Sequence, residues 1–268
     1  RGLGDVYKRQ LSGTPTELWP QTSYMVWANN SGGSSVAYLN ITVVDELPTI
    51  SYSPTNIVMT NNTASTDLPL IPTLTGAGEI TSWAINASLP AGLTFETSNG
   101  TIWGTPTELW NTTAYVVWAN NSGGSSVAYL NITVIDQLPT SLTYTPENVT
   151  MVRDEASTDL PLVPTLTGPG EITSWAINGS LPSGLSFGTT NGTIWGVPLV
   201  NMTTTTYTVW ANNTGGSLST TINVTVLEPA VMLDYNPENM TLIRGVQMAT
   251  LFPSVSGGNA SSWAISPD

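Results

Sequence analysis

The sequence predicts an all-β protein built as a tandem array of two-sheet sandwiches, with about 91–92 residues per unit. Three observations predict it. A long block of sequence recurs at fixed spacing. Its strand-length runs are rich in Val, Ile, Thr, Tyr and Trp. Clusters of Gly, Pro and Asn separate those runs, and no 3.6-residue apolar stripe is sustained anywhere.

The recurrence fixes the organisation. SWAINASLPAGLTFETSNGTIWGTP, from Ser82, returns as SWAINGSLPSGLSFGTTNGTIWGVP, from Ser174. Trp83, Trp103 and Trp118 recur 92 positions on, at Trp175, Trp195 and Trp210. In the other direction Trp118, Asn131 and Gly104 map 91 positions back, to Trp27, Asn40 and Gly13. Tyr144 and Pro146 return as Tyr235 and Pro237, and Trp263 stands in the place of Trp175. The expected division is the late half of a unit at 11–46, complete units at 47–137 and 138–229, and the early half of a unit at 230–268. Both ends are cut mid-unit on this reading, so a longer parent protein is expected. The strands of each half lack their partners, and the halves are expected either to be poorly ordered or to associate with each other.

Residues 1–10 (RGLGDVYKRQ) resemble translated adapter sequence and nothing later in the chain, and they are set aside from the fold. They hold three of the five basic residues; without them two basic and 17 acidic residues remain, a balance of −15. Such a surface opposes phosphate backbones, so no nucleic-acid partner is expected. The chain has no Cys and no His, which excludes disulfides, thiolate nucleophiles, zinc–thiolate sites and the commonest general base. It has no run of 18 apolar residues, so no membrane contact is expected from this segment.

Within a unit, Trp83 in Ser-Trp-Ala-Ile takes the central core position, with Ile85 on the same side. Asn99-Gly100 and Asn191-Gly192 lie between two short strands each and read as two-residue hairpin turns, since Asn-Gly tolerates positive φ. A second hairpin joins Tyr115–Ala119 to Ser126–Ile135 through Asn121-Ser122-Gly123-Gly124. Its alternation puts Tyr115, Val117, Ala119, Ala128, Leu130, Ile132 and Val134 inward. Trp118, Asn131 and Thr133 then face outward. About seven short strands per unit make a sandwich.

Leu89-Pro90-Ala91-Gly92-Leu93-Thr94-Phe95, followed by Asn99-Gly100-Thr101-Ile102-Trp103-Gly104-Thr105-Pro106, resembles the putative Ig domain family. Those repeats are similar to cadherin-like and dystroglycan-type sandwiches. Tyr115, Ala119–Gly124 and Asn131–Val134 continue the resemblance, which covers nearly everything after Gln10. It implies Greek-key Ig-like modules of large secreted or cell-surface microbial proteins, serving as stalk or adhesion segments. Trp103 and Trp195 depart from the family, standing where it usually has a small residue. Asn120-Asn121 departs too, replacing an acidic residue often found before the Ser-Gly turn. Some relatives bind calcium between modules through clustered carboxylates. Here the junctions offer only Asp45-Glu46, Asp136 and Glu228, a poor set for a cation wanting 6–8 oxygens, so structural calcium is the weaker expectation and no cofactor is expected.

Two further features bear on function. Sixteen of the 22 Asn residues head N-x-S/T sequons. Turns and outward strand faces use Asn anyway, but Asn131 and Asn223 fall mid-strand, where turn chemistry gives no reason for them. Asn40, Asn86, Asn111, Asn131, Asn148, Asn178 and Asn223 are therefore the expected glycan acceptors. Outward Trp103, Trp118, Trp195 and Trp210 are the candidate aromatic contact surface, for sugars or neighbouring modules. The plainer reading is a cross-strand aromatic pair within each unit, and it is preferred. Adjacent acids at Asp154-Glu155 would point to opposite faces of a strand and do not form a hydrolytic pair. The expected function is a non-catalytic stalk, spacer or adhesive segment, extracellular or at the cell surface. Expected partners are neighbouring repeats, surface glycans and other surface proteins. Carbohydrate-binding modules of a secreted enzyme, or calcium-stiffened adhesion repeats, are the alternatives.

Overall fold

The computed structural model describes residues 10–266, and the adapter-like stretch lies outside them except for Gln10. The chain divides between Ile135 and Asp136 into two compact units. Every regular element among the described residues is a β-strand.

The first unit opens with β1 (Trp19–Asn30) and β2 (Gly33–Val43), a long antiparallel hairpin forming a sheet of its own. A complete repeat follows: β3 (Thr49–Ser51), β4 (Asn56–Thr60), β5 (Thr73–Thr75), β6 (Ser82–Ile85), β7 (Leu93–Phe95), β8 (Ile102–Gly104), β9 (Trp110–Asn121) and β10 (Gly124–Ile135). One layer is a four-stranded sheet in the order β4-β10-β9-β6, with β4 running parallel to β10. The other holds the β3–β5 and β7–β8 ribbons, joined where Leu70 and Ile102 exchange backbone hydrogen bonds of 2.8 and 3.0 Å. The repeat has eight strands against the seven or so expected.

The second unit repeats this plan with β11 (Ser141–Thr143), β12 (Asn148–Val152), β13 (Thr165–Thr167), β14 (Ser174–Ile177), β15 (Leu185–Phe187), β16 (Ile194–Gly196), β17 (Met202–Asn213) and β18 (Gly216–Leu227). A last ribbon, β19 (Met232–Asp234) with β20 (Ser254–Ser256), pairs as β11 pairs with β13.

Alternation in the long strands builds the cores. Tyr115, Val117 and Ala119 from β9 pack with Ala128, Leu130, Ile132 and Val134 from β10, and with Trp83, Ile57, Met59, Ile50, Tyr52, Leu70 and Ile102. The second core is assembled from the equivalent residues around Trp175. The period-2 inward expectation holds at every named position.

The Asn-Gly turns are wider than the sequence predicts. Glu96 donates its amide to Thr101 at 2.8 Å, and Gly100 donates to Glu96 at 2.8 Å, so Thr97–Gly100 form a four-residue turn. Only Gly100 takes positive φ, at 77°, while the Asn99 side chain accepts the Thr101 amide at 2.9 Å. The reason lies in the core. Tyr52, on β3's run-out, donates its buried hydroxyl to the Gly100 carbonyl at 2.6 Å, and the Trp83 ring fills the space a side chain at Gly100 would need. In the second repeat Tyr144, Gly192 and Trp175 make the same lock, with a 2.5 Å hydroxyl contact. Burial raises the pKa of both phenols above the ordinary tyrosine value, which keeps them neutral donors. The Asp154-Glu155 pair is also corrected: it sits in the turn after β12 rather than in a strand, with Asp154 at φ 63° and paired to Arg153 at 3.1 Å.

Candidate contact surface and linker seats

The outward tryptophans do not form pairs. Trp103 lies on β8 opposite Thr94, and Trp195 on β16 opposite Ser186. Trp118 lies on β9, in the other layer, between Val127 on β10 and Ala84 on β6; Trp210 sits between Ser219 and Ala176. The preferred reading of a cross-strand aromatic pair is therefore overturned, because the two residues belong to different sheets. Trp103 and Trp195 remain about half exposed, at 48% and 45%, and Trp118 and Trp210 are half-buried. What the sequence reading missed is Tyr129, exposed two places along β10 from the partner of Trp118 and so its diagonal neighbour on the outer face. Its counterpart in the second repeat is Thr221, so that repeat lacks the strip, while the β1–β2 hairpin carries the same set in Trp27, Val36 and Tyr38.

The sequon asparagines have structural work. Asn131 donates its side-chain amide to the Asn56 side chain at 2.7 Å, across parallel β10 and β4. Asn223 does the same to Asn148 at 2.8 Å and accepts the Thr206 hydroxyl at 2.6 Å. Mid-strand Asn thus has a physical reason that turn chemistry did not supply: paired amides bridge neighbouring strands in register. Asn86 and Asn178 accept the amides of Val116 and Thr208 at 3.0 and 2.6 Å, closing the ends of β6 and β14. Both residues are exposed, as are Asn40 and Asn111 on β2 and β9.

The segment entering each repeat is held by that repeat's own last hairpin. Asp45 donates its amide to the Ser122 hydroxyl at 2.9 Å, and Asn121 donates to the Glu46 carbonyl at 2.7 Å. Ser126 adds a hydrogen bond to the Pro48 carbonyl. In the second unit Asp136 donates to Thr214 at 2.8 Å, and Asn213 donates to Gln137 at 2.6 Å. Gly123 and Gly215 leave the space that the carbonyls of Asp45 and Asp136 occupy, since a methyl there would overlap them. The partners lie 75–78 residues apart, so no local motif in the sequence announces these seats.

The seats also decide what the junction acids do. Both carboxylate oxygens of Asp136 accept backbone amides, from Gln137 at 2.8 Å and Glu171 at 3.0 Å. Among the described residues no three acidic side chains converge. This donor set does not fit a calcium ion, which would need these oxygens and several more.

Comparison with known proteins follows this geometry. The family described as "Putative Ig domain" matches residues 48–135 and 138–227, the two sandwiches in tandem. The chain belongs to that family. Its Ig-like repeats are similar to the "Serine-rich adhesin for platelets" of Staphylococcus aureus strain MRSA252, at 30% identity over 196 residues. That match covers 71% of this chain and 13% of the adhesin. The adhesin of strain MSSA476 is equally similar, with 8% of its length covered. The chain thus spans a small part of the relatives it matches. Among solved structures, Drosophila OTK extracellular domains 3–5 align with a TM-score of 0.41 and 14% identity, covering 77% of this chain and 71% of that one. A three-Ig fragment of titin gives 0.39 and 15%, covering 77% and 75%. Scores at this level carry no argument about this chain. Family membership and likeness to these adhesins place the chain outside the cell or at its surface.

Proposed function

We propose that the chain is a non-catalytic stalk or spacer segment of a larger adhesive surface protein. Residues 47–137 and 138–229 are its complete repeats, and 11–46 and 230–268 are halves of two others. The observation that carries the reading is the linker seat, built the same way in both units. A module that binds its own entry segment through side chains and glycine gaps is shaped for a place in an array. Its partners are neighbouring repeats, with surface glycans or surface proteins as the class that the wider protein engages; the relatives are adhesins by name.

Glycan-array binding of the full chain tests this. A spacer leaves the array blank. Binding that disappears on replacing Trp103 and Trp195 with Thr would instead make the repeats carbohydrate-binding modules. The exposed sequons Asn40, Asn86, Asn111 and Asn178 support glycosylation of the exported protein better than Asn131, Asn148 and Asn223, whose side chains already pair across strands. Peptide mass spectrometry of native protein checks this, and unmodified peptides at all four would remove it.

A further inference from the structure

We propose that Asn178 is a self-modification site, where the folded second repeat converts asparagine to aspartate and isoaspartate through a ring closed with Gly179. The chain has three Asn-Gly pairs, at Asn99-Gly100, Asn178-Gly179 and Asn191-Gly192. Glycine hinders such a closure least, because no side chain stands beside the attacking nitrogen. The three glycines take positive φ of 77°, 75° and 70°. The three asparagines are exposed. Each side-chain oxygen accepts a backbone amide: Thr101 at 2.9 Å, Thr208 at 2.6 Å and Thr193 at 3.1 Å. The pairs therefore match in sequence, backbone angle and carbonyl partner.

They differ in the nucleophile. The attacking atom is the glycine nitrogen, which must give its proton to water before its electron pair can reach the asparagine Cγ. Gly100 donates that N–H to the Glu96 carbonyl at 2.8 Å, and Gly192 donates to Gly188 at 2.7 Å. Both glycines are buried, against the rings of Trp83 and Trp175. Gly179 is exposed, and a methyl added there would meet nothing within 4 Å. Among the described residues no group accepts its N–H. This pair also has the shortest carbonyl contact. The Thr208 N–H, 2.6 Å from Oδ1, is placed to stabilise the negative charge that grows there as Cγ is attacked.

The step balances with water as the one co-reactant. The Gly179 nitrogen bonds to Cγ, the Cγ–Nδ2 bond breaks, and Nδ2 takes up a proton and leaves as ammonia. Water then opens the cyclic imide at either carbonyl, giving aspartate or isoaspartate at position 178. The first repeat has Asn86-Ala87 at this place, and Asn86 accepts the Val116 amide at 3.0 Å, so it keeps the contact without the reactive glycine. Isoaspartate carries the main chain through the former side chain. That takes the acceptor away from Thr208 and loosens the end of β14 against β17. A glycan on Nδ2 and loss of Nδ2 as ammonia exclude each other, so the reaction belongs to chains unglycosylated at Asn178.

Peptide mass spectrometry with enzymatic isoaspartate methylation tests this on the unglycosylated full chain, held for weeks at mildly alkaline pH, both folded and in urea. In the folded chain Asn178 should convert at least about tenfold faster than Asn99 and Asn191, since each of those must first break a buried glycine hydrogen bond. In urea the three should convert at similar rates. Gly179→Ala should bring position 178 down to the rate of Asn86. Hydrogen exchange at the Thr208 amide should rise in the converted fraction. Folded-state rates at Asn99 or Asn191 equal to that at Asn178 would overturn the proposal. So would an Asn178 that stays intact in the folded chain while urea converts all three.

Discussion

Replacing Gly192 with Ala tests whether the core, rather than local turn preference, shapes the Asn-Gly loop. Gly192 has φ 70°, where an L-residue costs roughly 1–2 kcal/mol. A methyl there would also stand 2.7 Å from the Trp175 ring atoms Cδ2 and Cζ3, and overpacking of that kind adds about 1–3 kcal/mol. The sum is roughly 2–5 kcal/mol. Gly179 provides the control, because it has φ 75° in the same repeat and nothing within 4 Å of the added methyl. Gly179→Ala should therefore cost only the conformational part, roughly 1–2 kcal/mol. With a urea slope of about 2 kcal/mol/M, the midpoint falls roughly 1–2.5 M for the first variant and 0.5–1 M for the second. Urea-titrated hydrogen exchange on peptides spanning β14 to β16 of the full chain reads both, with the first repeat as reference. Equal losses in the two variants would refute the ring contact as the cause.

Other outcomes follow from the same contacts. Gly215→Ala keeps an ordinary backbone angle but overlaps the Asp136 carbonyl, so exchange at the Asp136 and Gln137 amides should rise about tenfold or more while the β17–β18 ladder stays protected; an unchanged rate would remove the seat. Tyr52 and Tyr144 have raised folded pKa values, so their contribution is fully present below the unfolded value of 10.0 and is lost as pH rises past it. The melting temperature should thus begin to drop above about pH 10, and the Tyr52→Phe, Tyr144→Phe double variant should flatten that drop. EDTA should leave the melting temperature unmoved, since the Asp136 oxygens already hold backbone amides; a fall of several degrees would restore calcium. Trp103→Thr and Trp195→Thr should each change stability by less than about 1 kcal/mol, because both rings are half in solvent.

The sequence by itself determined the class, the repeat period and the inward faces. Those depend on local quantities: Tyr115, Val117 and Ala119 alternate with period 2, and Trp83 and Trp175 recur in matching surroundings. The Ser122-Gly123 hairpin was legible for the same reason. Tertiary structure decided everything that joins distant residues. The width of the Asn99-Gly100 turn was set by Tyr52, 48 residues away, and by the Trp83 ring. Trp103 and Trp118 look alike along the chain, yet the layers that carry them separate them. Asn131 has its reason in Asn56, and Asn121 its reason in Glu46, each 75 residues off. Alternation tells a side chain which face to take. Only the folded backbone says what stands across from it.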